Sequence, residues 1–480
     1  MAAAEDIRQI VEQVLKSADI ASLLGSLDAG AKAAPAVSLG NGVFADVDGA
    51  VKAAASAQRE LAAVPLDTRT RMIENMRRTV IANNESLSRD AVAETGLGNV
   101  RDKQVKNALA AEKTPGVQDV QPSAYSDEHG LTITERAPYG VIGAITPVTN
   151  PIATITSNSI GMIAAGNSVV FNVHPNAKRV SNRLVVLLNE AIRSEGGPQN
   201  LLCAVADPTI ESAGALMKHP GVSILVVTGG PGVVKAAMAS GKKAICAGPG
   251  NPPCVVDQTA DIVKAGRDIV AGASFDNNVV CICEKEVLAV EGIADRLKQE
   301  MRANGAFELS GPQIDAITRL VFPNPRGPRT ESAPNKDMVG KDAAFIARAA
   351  GIEVPAQTRL LLMEVDRDHP LVWSEQLMPV LPLVRMKSAD EAIDLAVAVE
   401  HSFRHTAMIH SHDIEKLSRM AKVMNCSLFV KNGPCYAGLG MGGAGFTSFT
   451  IASPTGEGIT RARTFTRERR CTLVDYFRII

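Results

Sequence analysis

Between residues 138 and 257 the sequence alternates short apolar runs with helical stretches, and nothing else in the chain restricts the fold as tightly. The runs fall at 141–146, 168–173, 201–205, 224–228 and 243–247, and the helical patterns begin near 156 and span 178–194, 210–218 and 232–240. Repeated strand, helix and strand units of this length predict a parallel, doubly wound sheet and an α/β fold. Composition agrees: 46% of the residues are hydrophobic but only 4% are aromatic, leaving an apolar stock of Ala, Val, Ile and Leu suited to helices packed on buried strands. At 480 residues the chain exceeds the size at which a single core stops growing, so two or three domains are expected.

The flanking segments read differently. In residues 5–18, Ile7, Ile10, Val11, Val14 and Leu15 recur at helical spacing opposite Glu5, Asp6, Arg8, Glu12 and Lys16, the pattern of an amphipathic helix. From about 22 to 41 the composition turns to Gly, Ala and Ser with Pro35, as in a flexible linker. A dense helical pattern runs from 43 to about 111, with Asp67 and Asn84 as expected N-caps. The turn Asp127-Glu128-His129-Gly130, followed by alternating Leu131-Thr132-Ile133-Thr134, predicts a hairpin over 123–137. A second α/β stretch spans about 259–437, and the tail is extended over 469–477.

Charge is balanced, 50 basic against 51 acidic residues, without a dense basic block, so a nucleic-acid partner is not expected. No apolar run reaches the eighteen or so residues that cross a bilayer, and the N-terminus lacks a secretory apolar core, so the expected location is the cytoplasm. Eight scattered cysteines then imply reduced thiols. The close pair Cys281 and Cys283 lacks the further ligands a zinc site needs, which turns attention to a nucleophile.

Two glycine-rich segments stand at expected strand ends. Thr228-Gly229-Gly230-Pro231-Gly232 leaves an apolar strand and opens a helix, so its backbone N–H groups can face a diphosphate. The next strand ends at Ala247-Gly248-Pro249-Gly250, a tight turn at the same sheet edge. By contrast Gly438, Gly440 and Gly443 form a G-x-G-x-x-G pattern with no helix after it, and read as a loop.

Taken in order, G-V-F-A-D-V-D (42–48), T-P-G-V-Q-D-V (114–120), T-P-V-T-N-P (146–151), A-A-G-N-S-V-V-F-N-V-H-P (164–175), T-G-G-P-G (228–232), G-P-G-N-P-P (248–253), S-F-D-N-N-V-V-C (274–281), S-E-Q-L-M-P (374–379) and V-K-N-G-P-C-Y-A-G-L-G (430–440) resemble the aldehyde dehydrogenase superfamily, specifically its CoA-acylating branch of bacterial microcompartments. The resemblance implies a Rossmann-type cofactor domain, an α/β catalytic domain and a small β oligomerisation arm. It implies boundaries at 1–18 for a targeting helix, 19–41 for a linker, 42–257 for the cofactor domain carrying the hairpin, 258–445 for the catalytic domain and 446–480 for the C-terminal return and strand. Cys281 is the implied nucleophile, with Cys283 its rival. Asn150 is the implied oxyanion donor, although alignment of Pro147 and Pro151 with the family's proline-flanked segment puts Thr149 in register. Thr146, Pro147, His174, Thr228, Gly229, Gly230, Gly232 and Gly248 are implied to hold NAD, with Glu375 on its nicotinamide ribose.

Two departures sharpen this reading. Where hydrolytic relatives carry a Glu-Leu-Gly-Gly motif with a water-activating base, this chain has Cys246-Ala247-Gly248-Pro249; where they carry a ribose-binding lysine it has Asn172. Without the base, a thioester on Cys281 should await a thiol, giving oxidation of a short aldehyde with NAD and coenzyme A to acyl-CoA. The alternatives are a hydrolytic dehydrogenase releasing free acid, or a silent assembly protein. The resemblance also implies a homodimer or tetramer, and a microcompartment whose shell protein is met by residues 1–18; a helix packing on its own oligomer is the other use of that segment.

Overall fold

The computed structural model describes residues 40–480. The expected targeting helix, and the expected linker up to residue 39, lie outside the described residues.

Strand β1 (Val43–Phe44) is followed by helices Val47–Leu61, Leu66–Ala82, Asn84–Thr95 and Val100–Lys113. Asp46 and Asn99 cap the first and last of these, each carboxylate or amide oxygen accepting a backbone N–H three residues on. Two expected caps are corrected. Pro65 and Asn83 occupy the cap positions, so Asp67 lies in a first turn, where its charge favours the helix dipole. Asn84 begins its helix, and its amide instead spans to the Gln104 carbonyl at 2.8 Å.

The hairpin forms as β2 (Ser123–Asp127) and β3 (Gly130–Pro138). Then come β4 (Val141–Ile145), β5 (Ser168–Asn172), β6 (Leu202–Val205), β7 (Ile224–Thr228) and β8 (Ala244–Ala247), which make a parallel sheet with β1 in the order β1-β6-β5-β4-β7-β8. The chain builds outward from β4 on one side, then returns to place β7 and β8 on the other. Ligands bind at the carboxyl ends of strands where such an order reverses, here between β4 and β7. The helix after β4, Pro151–Ala164, starts five residues before its expected position near 156; every residue in it is buried, so no amphipathic period marks its start.

A second parallel sheet contains β9 (Pro253–Val256), β10 (Glu286–Val290), β11 (Ala306–Glu308), β12 (Leu360–Glu364), β13 (Val380–Met386), β14 (Thr406–His410) and β15 (Leu428–Lys431), in the order β11-β12-β13-β10-β9-β14-β15. Strand β9 falls within the expected first domain, yet it pairs with β10 and β14. The turn at 248–252 carries the chain from one sheet to the other, so the division lies there rather than at 257. Short strands β16 (Ile451–Ala452) and β17 (Gly458–Ile459) precede β18 (Thr466–Val474), which pairs with β3 to complete a projecting three-stranded sheet. Among the described residues no helix is long and apolar enough to cross a membrane.

Candidate active site

The parallel sheet brings the first group of expected residues to one edge. Thr146 and Pro147 follow β4, His174 lies just beyond β5, Thr228 ends β7 and Gly248 follows β8. Gly230 caps the helix Pro231–Met238, and among the described residues a Cβ at Gly230 or Gly232 would meet nothing within 4 Å. Beside it lies a cavity of about 480 Å³ lined by Pro231, Val234, Lys235, Met238, Pro249 and Phe403. The Thr146 hydroxyl is buried without a partner among the described residues, whereas that of Thr228 bonds Thr450 at 3.0 Å. His174 accepts the Asn176 N–H at 3.2 Å, and burial holds its imidazole below the usual range. Asn172, in place of a lysine, is engaged by Ser212 at 2.5 Å. A helix N-terminus for a diphosphate, an apolar recess for a base and an unpaired hydroxyl at the same sheet edge fit a dinucleotide.

The second group stands on the loop before β10. Asp276, Asn277 and Asn278 are consecutively left-handed, at φ 47°, 54° and 63°, a conformation that Asp and Asn tolerate best among non-glycine residues. Each is pinned. The Asp276 N–H donates to the Asp102 carboxylate at 2.8 Å, and the Asp276 carboxylate accepts the Asn99 N–H at 2.8 Å. Asn277 donates to the Gly340 carbonyl at 2.9 Å; Asn278 donates to the carbonyls of Ala273 at 2.7 Å and Glu284 at 3.0 Å. The bend leaves Cys281 half-buried, while Cys283 is fully buried in the apolar cluster beneath.

Burial pushes the Cys281 thiol up to about 12; the Glu375 carboxylate raises it further and the buried Lys285 ammonium opposes both. Burial also lifts Glu375 to about 7, against the pull of Lys285 and of a hydrogen bond from the Gly250 N–H. The thiol is therefore protonated at rest, and becomes a nucleophile only when its proton has somewhere to go. A group the sequence reading missed stands close by. A Cβ on Gly250 would lie 2.9 Å from His405 Cγ and 3.0 Å from the Cys281 carbonyl oxygen. His405 is fully buried, held at Nδ1 by the Thr406 hydroxyl at 2.8 Å, and its Nε2 has no partner among the described residues. Burial, aided by Lys285, lowers it to about 4, so it is neutral at physiological pH.

Asn150 caps the helix Pro151–Ala164 in a buried position. Its Nδ2 donates to the Thr149 hydroxyl at 3.1 Å, and its Oδ1 accepts from Lys106 Nζ at 2.5 Å. Ala153, one turn on, shares an apolar cluster with Val280 and Ile282, and Cys281 packs against the same cluster. Cys246, at the place of the hydrolytic base, is fully buried at the end of β8 among Val227, Val234 and Leu216. Burial, then the charge of Glu457, raises its thiol to about 11. Lys106, Lys285 and His405 carry no local signature: isolated polar residues read as solvated, and only the fold brings them in.

The family model described as aldehyde dehydrogenase family matches residues 31–315. An acetaldehyde dehydrogenase (acetylating) of Bilophila wadsworthia is 50% identical over 445 residues, 92% of this chain and 91% of that protein. The crystal structure of Rhodopseudomonas palustris propionaldehyde dehydrogenase with bound CoA and an acylated cysteine is 50% identical, superposes with a TM-score of 0.88 and is covered over 99% of its length by 91% of this chain. A propionaldehyde dehydrogenase from the Clostridium phytofermentans fucose utilisation bacterial microcompartment is 46% identical, with a TM-score of 0.89 over 92% of this chain and all of that one.

Proposed function

The chain belongs to the aldehyde dehydrogenase family, and from that premise we propose that Cys281 carries out its chemistry with Asn150 as oxyanion donor. The reaction is oxidation of a short aldehyde, propionaldehyde or acetaldehyde, with NAD and coenzyme A to acyl-CoA and NADH. One observation carries the assignment of residues: of the cysteine pair, Cys281 is partly exposed while Cys283 is sealed in the core.

The Cys281 sulfur forms a bond to the aldehyde carbon, and the carbonyl π pair moves onto oxygen. Asn150 Nδ2 and the backbone N–H at Cys281 meet that oxyanion. The helix N-terminus at Asn150 adds favourable dipole. NAD, when bound, supplies the hydride acceptor that converts the thiohemiacetal to a thioester. Thr146, Pro147, His174, Thr228 and Gly248 would hold it along this edge of the sheet, with the turn Gly229, Gly230 and Gly232 on the diphosphate and Glu375 on a ribose. CoA thiolate then attacks the Cys281 thioester, a new C–S bond forms, and the Cys281 thiolate leaves. Exchange of one thioester for another retains the oxidation energy. As the C–S bond forms the thiol proton passes to solvent; His405 is neutral but its Nε2 makes no hydrogen bond to the thiol. Cys246, at the place of the hydrolytic base, sits in apolar packing and offers no carboxylate to water.

The test is turnover with and without CoA. NADH and acyl-CoA should appear together, with little free acid; rapid CoA-independent acid formation would move the enzyme to the hydrolytic branch.

Two assembly readings accompany this. The projecting sheet of β2, β3 and β18 leaves Tyr125, Leu473, Val474 and, beyond the strand, Tyr476 and Phe477 exposed, an apolar surface that suits a dimer or tetramer. The amphipathic pattern of residues 1–18, with the origin of the Clostridium phytofermentans relative, supports capture inside a bacterial microcompartment. Removal of residues 1–18 should leave activity intact and end co-localisation with the shell.

A further inference from the structure

The helix Val100–Lys113 buries two lysines one turn apart, Lys103 at 3% and Lys106 at 2% exposure. Buried ammonium groups are rare and costly unless paired. Both reach the fully buried Asp276 carboxylate: Lys103 at 3.1 Å, and Lys106 in a second, close contact with the same oxygen. Asp276 therefore has one cation more than its charge requires. Lys103 also touches the Thr149 carbonyl at 3.4 Å, and burial followed by repulsion from Lys106 lowers its ammonium to about 8. Holding the loop thus explains one lysine better than two.

What Lys106 has and Lys103 lacks is the Asn150 amide, whose Oδ1 it contacts at 2.5 Å. The two ends of an amide are nearly isosteric, but only the nitrogen end can stabilise an oxyanion; the oxygen end would repel it. An ammonium is a donor without acceptor capacity, so it accepts Oδ1 as a neighbour and rejects Nδ2. Its charge also polarises the amide and strengthens the Nδ2 donors at the far end. One of those donors rests on the Thr149 hydroxyl at 3.1 Å, a weak neutral contact that can yield when a charged oxygen forms.

We infer that Lys106 is a positioning residue for catalysis: it fixes the Asn150 amide with its nitrogen toward the oxyanion formed at Cys281, and ties that amide through Asp276 to the loop bearing the nucleophile. The inference rests on the reading of Asn150 as oxyanion donor. It assigns Lys106 no contact with substrate and no proton transfer.

The experiment compares two reactions of the same thiol in the full-length enzyme. Acyl-CoA formation passes through an oxyanion, whereas alkylation of Cys281 by iodoacetamide is a displacement at saturated carbon and does not. Lys106→Met should lower kcat about 100-fold, within the range for loss of one oxyanion donor, with aldehyde KM moving less than about threefold. Alkylation should stay within about twofold of wild type, and the ratio of the two rates in one sample is insensitive to the fraction folded. Lys106→Gln, which still donates to Oδ1, should recover much of the loss. Lys106→Met in an Asn150→Ala background should cost nothing beyond Asn150→Ala alone. Should Lys106→Met fold poorly, the same substitution in an Asp276→Asn background, compared with Asp276→Asn alone, leaves no orphan carboxylate and should show the same selective loss.

Wild-type kcat in Lys106→Met, a parallel fall in alkylation, or multiplicative losses in the double variant would each overturn the positioning role. If Asn150→Ala costs its hundredfold or more while Lys106→Met does not, only that role fails. If Asn150→Ala is itself mild, the donor reading fails first and the role falls with it.

Discussion

Lys285 Nζ reaches back across the nucleophile loop to the backbone carbonyl of Asn278 at 3.1 Å, and also touches that residue's side-chain oxygen. Its own N–H donates to the Pro252 carbonyl at 3.0 Å, and its carbonyl accepts Gln376 Nε2 at 3.1 Å. One buried residue thus joins the turn between the two sheets, the Cys281 loop and the segment bearing Glu375. Asn278→Ala should remove three side-chain contacts, leave the Lys285 ammonium with the backbone carbonyl alone and place alanine at a left-handed φ of 63°. A stability loss of about 3 kcal/mol or more is expected in denaturant unfolding, with Cys281 alkylation slowed as the loop loses its shape.

The two cysteines should separate cleanly. Cys281→Ala should abolish acyl-CoA formation, and mass spectrometry should find no acylated peptide. Cys283→Ala removes a core thiol whose polar neighbours are the Phe275 carbonyl at 3.9 Å and the Cys435 thiol. It should retain most activity and cost about 1 kcal/mol for the small cavity. The reverse ranking would reassign the nucleophile.

How far the sequence alone reached follows from where each signal resides. The strand runs of the first sheet stood within a residue or two of their observed ends, because a strand buried on both faces is written as a continuous apolar run. Thr228–Gly232 was legible because strand, glycines and helix are adjacent in the chain. The helix Pro151–Ala164 hid its start by being apolar all round, although Pro151 at its first position was a usable marker. The contacts of Asp276 with Lys103 and Lys106 span 170 residues or more, so nothing local announced them. Asp-Asn-Asn before Cys281 was legible as a motif, but its reason, three left-handed residues each pinned by a distant partner, was not.

Glu375 gives a pH dependence of binding. With its carboxyl near 7, it is largely neutral at pH 6 and ionised at pH 8. An ionised acceptor bonds ribose hydroxyls more strongly, so KM for NAD should fall between pH 6 and 8 and be flat over that range in Glu375→Gln. The folded value is raised, so stability present below the unfolded value near 4.5 is lost as pH rises through about 7. Glu375→Gln should accordingly raise Tm at pH 8 and leave it unchanged at pH 4.

His405 and His410 act in the opposite sense. Both are buried and lowered to about 4 from 6.5, in each case chiefly by burial. A lowered folded value means that stability present above about pH 6.5 is lost as pH falls toward 4, because only the unfolded chain takes up the protons. Each histidine should contribute a slope of about 1.4 kcal/mol per pH unit in that window. Denaturant midpoints between pH 7 and 4 test this, and His410→Gln should reduce the slope.

The last prediction concerns Cys246, where hydrolytic relatives keep their base. From sequence alone, Cys246→Glu should restore hydrolysis. The fold argues otherwise, because neighbouring residues on a strand face opposite sides. Ile245 packs into the cluster that holds Ile152 and Ile155 of the Asn150 helix, while Cys246 packs with Val227, Val234 and Leu216 on the other face. A carboxylate installed there enters apolar packing with no cation nearby, and Glu457 already raises the thiol it would replace. Cys246→Glu should therefore cost about 3–5 kcal/mol, or less if the new group stays protonated, and leave CoA-independent acid formation at the wild-type level. Since a base must first lie within hydrogen-bond reach of its water, the measurement is NADH and free acid without CoA, normalised to Cys281 alkylation. A gain of tenfold or more in acid would show that the strand end turns to aim residue 246 at the thioester, and that loss of this one carboxylate directs the acyl group to CoA.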